Sequence, residues 1–124
     1  MSAADVRVPF NVLALGEERG AIDAAMARVV DSGWFVLGPE VAAFEQEFAT
    51  ATGAVQAAGV NTGTDALALA LMGLGIGPGD EVITSPLSAA YTALAIDMAG
   101  ARPVFADIDP ERLTIDPAAA AAAV

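Results

Sequence analysis

Three short apolar runs separated by helix-period segments constrain this chain more than any other feature. Residues 54–60, 81–85 and 103–108 read as strands, the last from Val104, Phe105 and Ala106. The stretches at 66–74 and 89–99 between them read as helices, the second stopped by Gly100. The order strand, helix, strand, helix, strand predicts an α/β fold. Its parallel sheet is doubly wound, with right-handed crossovers.

Two helices precede the first run. Residues 17–32 carry Ile22, Met26, Val29 and Val30 at helical spacing. Glu17 and Glu18 sit at the N-terminal end, where the helix dipole favours negative charge. Ser32-Gly33 ends this helix, and 34–38 is a short loop. The second helix opens at Gly38-Pro39, where the missing proline N–H costs no intrahelical bond. Val41, Phe44 and Phe48 form its expected buried stripe, and Gly53 its stop. The 66–74 helix is apolar on most sides and is expected to be buried. Gly73, Gly75, Gly77, Pro78 and Gly79 make a turn-rich connection to the second strand. Further on, Asp109-Pro110-Glu111-Arg112 reads as a turn. Asp116-Pro117 then caps a last helix whose alanine run reaches Val124. A chain that stops within a helix, on a three-stranded sheet with open edges, is expected to be part of a larger domain.

The 124 residues suffice for one small domain with a core, and 56% are hydrophobic, which argues against disorder. About a quarter are alanine. Alanine favours helix but buries little area, so apolar content overstates the strength of the core. The net charge is -11, and the five cations, Arg7, Arg19, Arg28, Arg102 and Arg112, are scattered. That balance disfavours nucleic acid and anionic membrane as partners. There is no lysine, histidine or cysteine. Disulfides, thiolate metal sites, a histidine base and a cysteine nucleophile are all excluded. No signal segment or membrane-length apolar run is evident, so a cytoplasmic protein is expected.

One segment carries chemistry. Asn61-Thr62-Gly63-Thr64-Asp65 lies between an expected strand and a helix N-terminus. Free N–H groups and the positive end of the helix dipole converge there. Gly63 lets a ligand approach the backbone, and the Thr62 and Thr64 hydroxyls can donate to phosphate oxygens. Thr64 or Asn61 could instead serve as a plain helix cap that binds nothing. The segment lacks the lysine and spacing of a Walker loop. Glycines at 73, 75, 77 and 79 depart from G-x-G-x-x-G and precede a strand, so they read as a helix stop and turn. Asp107 and Asp109 have no third ligand candidate. They read as a solvated turn with capping duty, and no metal site is expected. Trp34 and Tyr91 read first as packing residues, Tyr91 falling at the same sheet end as the Thr62–Thr64 turn.

Five stretches in order resemble the DegT/DnrJ/StrS family of sugar aminotransferases, which have the aspartate-aminotransferase fold. They are Val8-Pro9-Phe10; Gly38-Pro39-Glu40-Val41 with Phe44-Glu45 and Phe48-Ala49; Asn61-Thr62-Gly63-Thr64-Asp65-Ala66-Leu67; Ile76-Gly77-Pro78-Gly79-Asp80-Glu81-Val82-Ile83; and Gly100-Ala101-Arg102-Pro103-Val104-Phe105-Ala106-Asp107-Ile108-Asp109. The resemblance implies that 1–124 is the N-terminal part of a large domain of fold type I that binds pyridoxal 5'-phosphate. Thr62, Gly63 and Thr64 would hold the cofactor phosphate. The Schiff-base lysine and the aspartate facing the pyridine nitrogen match nothing here, so no catalytic residue is assigned. The family's usual ring-stacking aromatic falls at Ala89, beside Ser88, and Tyr91 is the nearby candidate to replace it. The 34–38 loop resembles a segment near the substrate entrance. The implied reaction is amino transfer from glutamate to a nucleotide-linked keto-sugar, by a homodimer. A sugar dehydratase relative and a non-catalytic module binding phosphate or a sugar nucleotide are the alternatives.

Overall fold

The computed structural model describes residues 16–124. The expected loose start over 1–8 and the Val8-Pro9-Phe10 stretch lie outside the described residues. Contacts cluster into two compact units, Met1–Gly59 and Val60–Val124.

The first unit contains α1 (Arg19–Ser32) and α2 (Pro39–Thr52). Both helices end as expected. The N–H of Gly33 donates to the Val29 and Val30 carbonyls, and that of Gly53 to Ala49 and Thr50. Pro39 occupies the first turn of α2. Arg28 of α1 clasps Glu40 of α2, Nε donating to Oε1 at 2.5 Å and Nη2 to Oε2 at 2.9 Å. Burial departs from expectation. Phe44 and Phe48 pack their rings at 5.6 Å, yet about half of each stays exposed, and only Val41 of the stripe is half-buried. On α1, Ile22 and Val29 are half-buried while Met26 and Val30 are exposed. The periodicity is real, but among the described residues of this unit nothing large enough lies over it.

The run at 54–60 is a second correction: it forms no strand. A strand exists only by pairing, and the Gly59 N–H instead donates to Glu45 Oε1 at 2.7 Å. The expected three-stranded sheet is, among the described residues, a two-stranded one.

The second unit runs α3 (Gly63–Gly73), β1 (Glu81–Thr84), α4 (Tyr91–Met98), β2 (Arg102–Phe105) and α5 (Pro117–Ala122). β1 and β2 pair in parallel, from Glu81 opposite Arg102 to Thr84 opposite Phe105, with α4 as the crossover. Parallel pairing requires such a connection. The unit is α/β, as the alternation predicts. α3 packs along α4. Asp80 Oδ2 accepts the Gly77 N–H at 2.8 Å and tightens the turn into β1. At the other end of α4, Gly100 has φ +83° and lies against the Pro78 ring.

The core is small. Ala68, Ala95, Ile96, Ala99, Ala101 and Ala106 are buried. Helix α3 is not enclosed: Leu67, Leu69 and Met72 are each about half exposed, against the expectation of a buried helix. Alanines let α3, α4 and the sheet approach closely, and close backbones leave the longer side chains pointing outward. No described helix is long and apolar enough to cross a membrane.

Candidate functional site

The N-terminus of α3 starts three residues before the expected helix, because Thr62 caps it. Thr62 takes extended backbone angles, φ −144° and ψ 161°, and its carbonyl accepts the Ala66 N–H at 3.0 Å. Its Oγ1 accepts the Asp65 N–H at 3.0 Å and donates its proton to Asp65 Oδ2 at 2.9 Å. This is a variant of the capping box, in which the acidic partner at the third helical position grips the cap's hydroxyl. The cap is Thr62 and not Asn61 or Thr64, because the Thr62 hydroxyl is the one placed to accept the Asp65 N–H. Thr62 serves the cap, while Gly63 and Thr64 occupy the first two helical positions, whose N–H groups have no intrahelical acceptor.

Gly63 is exposed, and a Cβ built there meets nothing within 4 Å. The space over the helix end is open to an oxyanion. Two backbone N–H groups, the dipole end and the Thr64 hydroxyl form a donor set suited to a phosphate. Asp65 adds one negative charge to the same turn.

Topology brings a second helix end to the same side of the sheet. The chain leaves the carboxyl end of β1 at Thr84 and enters α4 at Tyr91. α3 runs towards the start of β1 through the turn at 74–80, so its N-terminus also lies towards the carboxyl end of β1. There Ser85, Pro86, Ser88, Ala89, Thr92 and Phe105 line a cleft of about 300 Å³. Ser88 and Thr92 share a hydroxyl hydrogen bond of 3.3 Å. Ala89 faces this cleft, as its position in the motif implies. Tyr91 is 65% exposed and is not one of the residues lining it. The aromatic on the wall is Phe105, which the sequence marks only as a strand residue. Its alternation with Val104 and its place at the strand's carboxyl end were the available signals.

Asp107 and Asp109 do turn work. Asp107 Oδ1 accepts the Ile108 N–H at 3.0 Å. Asp109 Oδ1 accepts from Glu111 and Arg112 at 2.8 and 3.1 Å. The capping duty on α5 belongs to Asp116, whose Oδ1 accepts the Ala118 N–H at 2.9 Å. Among the described residues no group of three or more His, Cys, Asp or Glu side chains is placed to hold a metal ion.

In the first unit, the 34–38 loop is pinned by Trp34, whose Nε1 donates to the Val36 carbonyl at 2.7 Å. It borders a cleft of about 260 Å³ that includes Arg28, Phe35 and Glu40. The hydrogen bond from Arg28, then its charge, hold the Glu40 carboxyl below the usual glutamate range.

Known proteins resemble this chain in sequence and in backbone. The spore coat polysaccharide biosynthesis protein SpsC of Bacillus subtilis (strain 168) is 49% identical over 94% of this chain and 29% of its own length. The dTDP-3-amino-3,4,6-trideoxy-alpha-D-glucose transaminase of Streptomyces venezuelae is 50% identical over 90% of this chain and 30% of its own. This chain thus spans under a third of either relative. The crystal structure of NtdA from Bacillus subtilis with bound cofactor PMP superposes with a TM-score of 0.81 at 32% identity, over 89% of this chain and 25% of that one. The sequence model of one family covers residues 17–124, including the α3 cap, both strands and the cleft residues from Ser85 to Phe105, and by that match the chain belongs to the DegT/DnrJ/EryC1/StrS aminotransferase family.

Proposed function

We propose that this chain supplies the cofactor-phosphate anchor of a pyridoxal-phosphate-dependent aminotransferase. The complete enzyme transfers an amino group from glutamate to a nucleotide-linked keto-sugar. In this reading residues 1–124 are the N-terminal part of the large domain, and the working enzyme is a homodimer. The observation that carries the proposal is the open N-terminus of α3, with its Gly63 and Thr64 donors, inside the family match. The sugar-nucleotide transaminase among the relatives supports the substrate class, and the PMP-bound NtdA supports the cofactor.

When bound, the cofactor supplies the electron sink and carries the amino group. The chain's own share is binding and orientation. The N–H groups of Gly63 and Thr64 and the Thr64 hydroxyl hold the phosphate, and the cap formed by Thr62 fixes their direction. The cleft of Ser88, Ala89 and Phe105 offers space for a planar ring. With no lysine and no histidine, this segment provides neither the Schiff-base amine nor an imidazole for proton transfer.

The test uses two ligands that need no lysine. Pyridoxamine 5'-phosphate and pyridoxamine, which lacks the phosphate, are titrated into the full chain and followed by cofactor fluorescence. Charge-assisted contacts of about 1.5–3 kcal/mol each predict a preference of at least about tenfold for the phosphorylated form. Equal binding of the two would sink the anchor.

A further inference from the structure

Among the described residues of the first unit, Leu37 alone combines a side chain with a left-handed backbone, φ +51°. The Cβ of an L-residue is crowded in that region. The Leu37 side chain is 75% exposed, so its own packing does not offset the strain. Such a conformation persists only where its surroundings enforce it. Here the constraint comes from both ends of the 34–38 loop. On the α1 side, Ser32 Oγ donates to the Val29 carbonyl at 2.9 Å and accepts the Trp34 N–H at 3.1 Å. The Trp34 indole then holds the Val36 carbonyl, directly before Leu37. On the α2 side, Pro39 keeps the preceding residue extended, and Gly38 has φ −86° and ψ −175°. Gly38 is buried under Trp34: a Cβ there would meet the Trp34 carbonyl oxygen at 3.0 Å and the indole at 3.4 Å. Beyond the loop, the two hydrogen bonds from Arg28 to Glu40 tie α1 to α2.

We infer that 34–38 is a sprung strap, held shut by the Arg28–Glu40 clasp and the Trp34 indole against backbone strain at Leu37. The inference is independent of the anchor at α3. Strap and clasp share the wall of the 260 Å³ cleft, through Trp34, Phe35 and Gly38 on one side and Arg28 and Glu40 on the other. Opening the strap therefore reshapes that cleft. The opposing effects are of similar size. A left-handed leucine shifts an equilibrium by about five- to thirtyfold, and an exposed ion pair by about two- to fivefold, to which the indole hydrogen bond adds. A balance this close lets the strap open while the helices on either side stay folded.

Trp34 is the one tryptophan of the chain, so its indole N–H gives a single NMR resonance. Its hydrogen exchange in the full chain reads the opening of the strap, and the mid-helix amides of α1 and α2 read unfolding of the unit. Leu37→Gly and Leu37→Asn accept the left-handed conformation more readily, and indole protection is expected to rise about two- to fivefold. Arg28→Met and Glu40→Ala open the clasp, and protection should fall about two- to fivefold with the mid-helix amides unchanged. Wild type moved from low to high salt should show the same fall, because the pair is exposed and screened; this arm serves if a clasp variant folds poorly. Unchanged or lower protection in both Leu37 variants overturns the spring. Clasp loss that leaves the indole unchanged, or moves it only in step with the mid-helix amides, overturns the strap.

Discussion

Replacing Gly63 with alanine separates folding from ligand binding at one atom. Gly63 is the first helical residue of α3, its φ is not positive, and its Cβ position is empty out to 4 Å. The methyl therefore meets no neighbour and forces no backbone change. Alanine restricts the unfolded chain and suits a helix better, so the variant should be unchanged or more stable by up to about 0.5–1 kcal/mol. The same methyl occupies the space through which a phosphate reaches the N–H groups. Losing one or two charge-assisted hydrogen bonds at about 1.5–3 kcal/mol each predicts a drop in pyridoxamine 5'-phosphate affinity of at least about tenfold. Urea denaturation read by far-UV circular dichroism gives the first number, and ligand fluorescence gives the second. A destabilised variant would show that the helix start is not as open as its geometry indicates. A stable variant that binds as wild type does would show that the phosphate does not sit there.

Other residues make sharper tests of the frame around the site. Gly100 and Gly75 both have positive φ, +83° and +79°, but a Cβ at Gly100 meets Pro78 atoms at 3.1 and 3.2 Å while one at Gly75 meets nothing within 4 Å. Gly75→Ala should cost about 1–2 kcal/mol from backbone strain alone, and Gly100→Ala about 1 kcal/mol more; equal urea midpoints would refute the close packing of Pro78 on Gly100. Glu40 is held below its ordinary range in the folded chain by the Arg28 hydrogen bond. The stability from that clasp is present above the unfolded-state value and is lost as pH falls through the lowered folded one. Wild type and Glu40→Gln should therefore differ most near neutral pH and converge in acid, and a difference that widens in acid would contradict the sign.

What was legible in the sequence was mostly local. The stops at Gly33 and Gly53, the proline start of α2, the Asp116 cap and the alternation through β1, α4 and β2 all depend on neighbours a few residues apart. The turn proposed as the anchor belongs to this class as well, since its open glycine and its cap lie within four consecutive residues, 62–65. The contact of Asp65 with the Thr62 hydroxyl is less legible, because it depends on the side-chain conformations within the turn. The place of Phe105 at the cleft is not legible locally, because it depends on α4 packing against the sheet.

Burial was not legible, and its failures have one cause. Periodicity identifies the face of an element suited to burial, but an apolar face is buried only where another element covers it. The stripe of Phe44 and Phe48 and the flank of Leu67, Leu69 and Met72 are correctly drawn as faces and remain half exposed. The run at 54–60 has strand-like residues and no ladder to join. Of the buried side chains among the described residues, only Ile96 is larger than alanine. At about 25 cal/mol per Å² of apolar surface, alanines contribute little each. Most of the apolar area that these faces could bury still lies at the surface. The site escapes this problem because a helix N-terminus is built from hydrogen bonds along one turn. Its geometry follows from the order of Thr62, Gly63, Thr64 and Asp65, whether or not the faces behind it are covered.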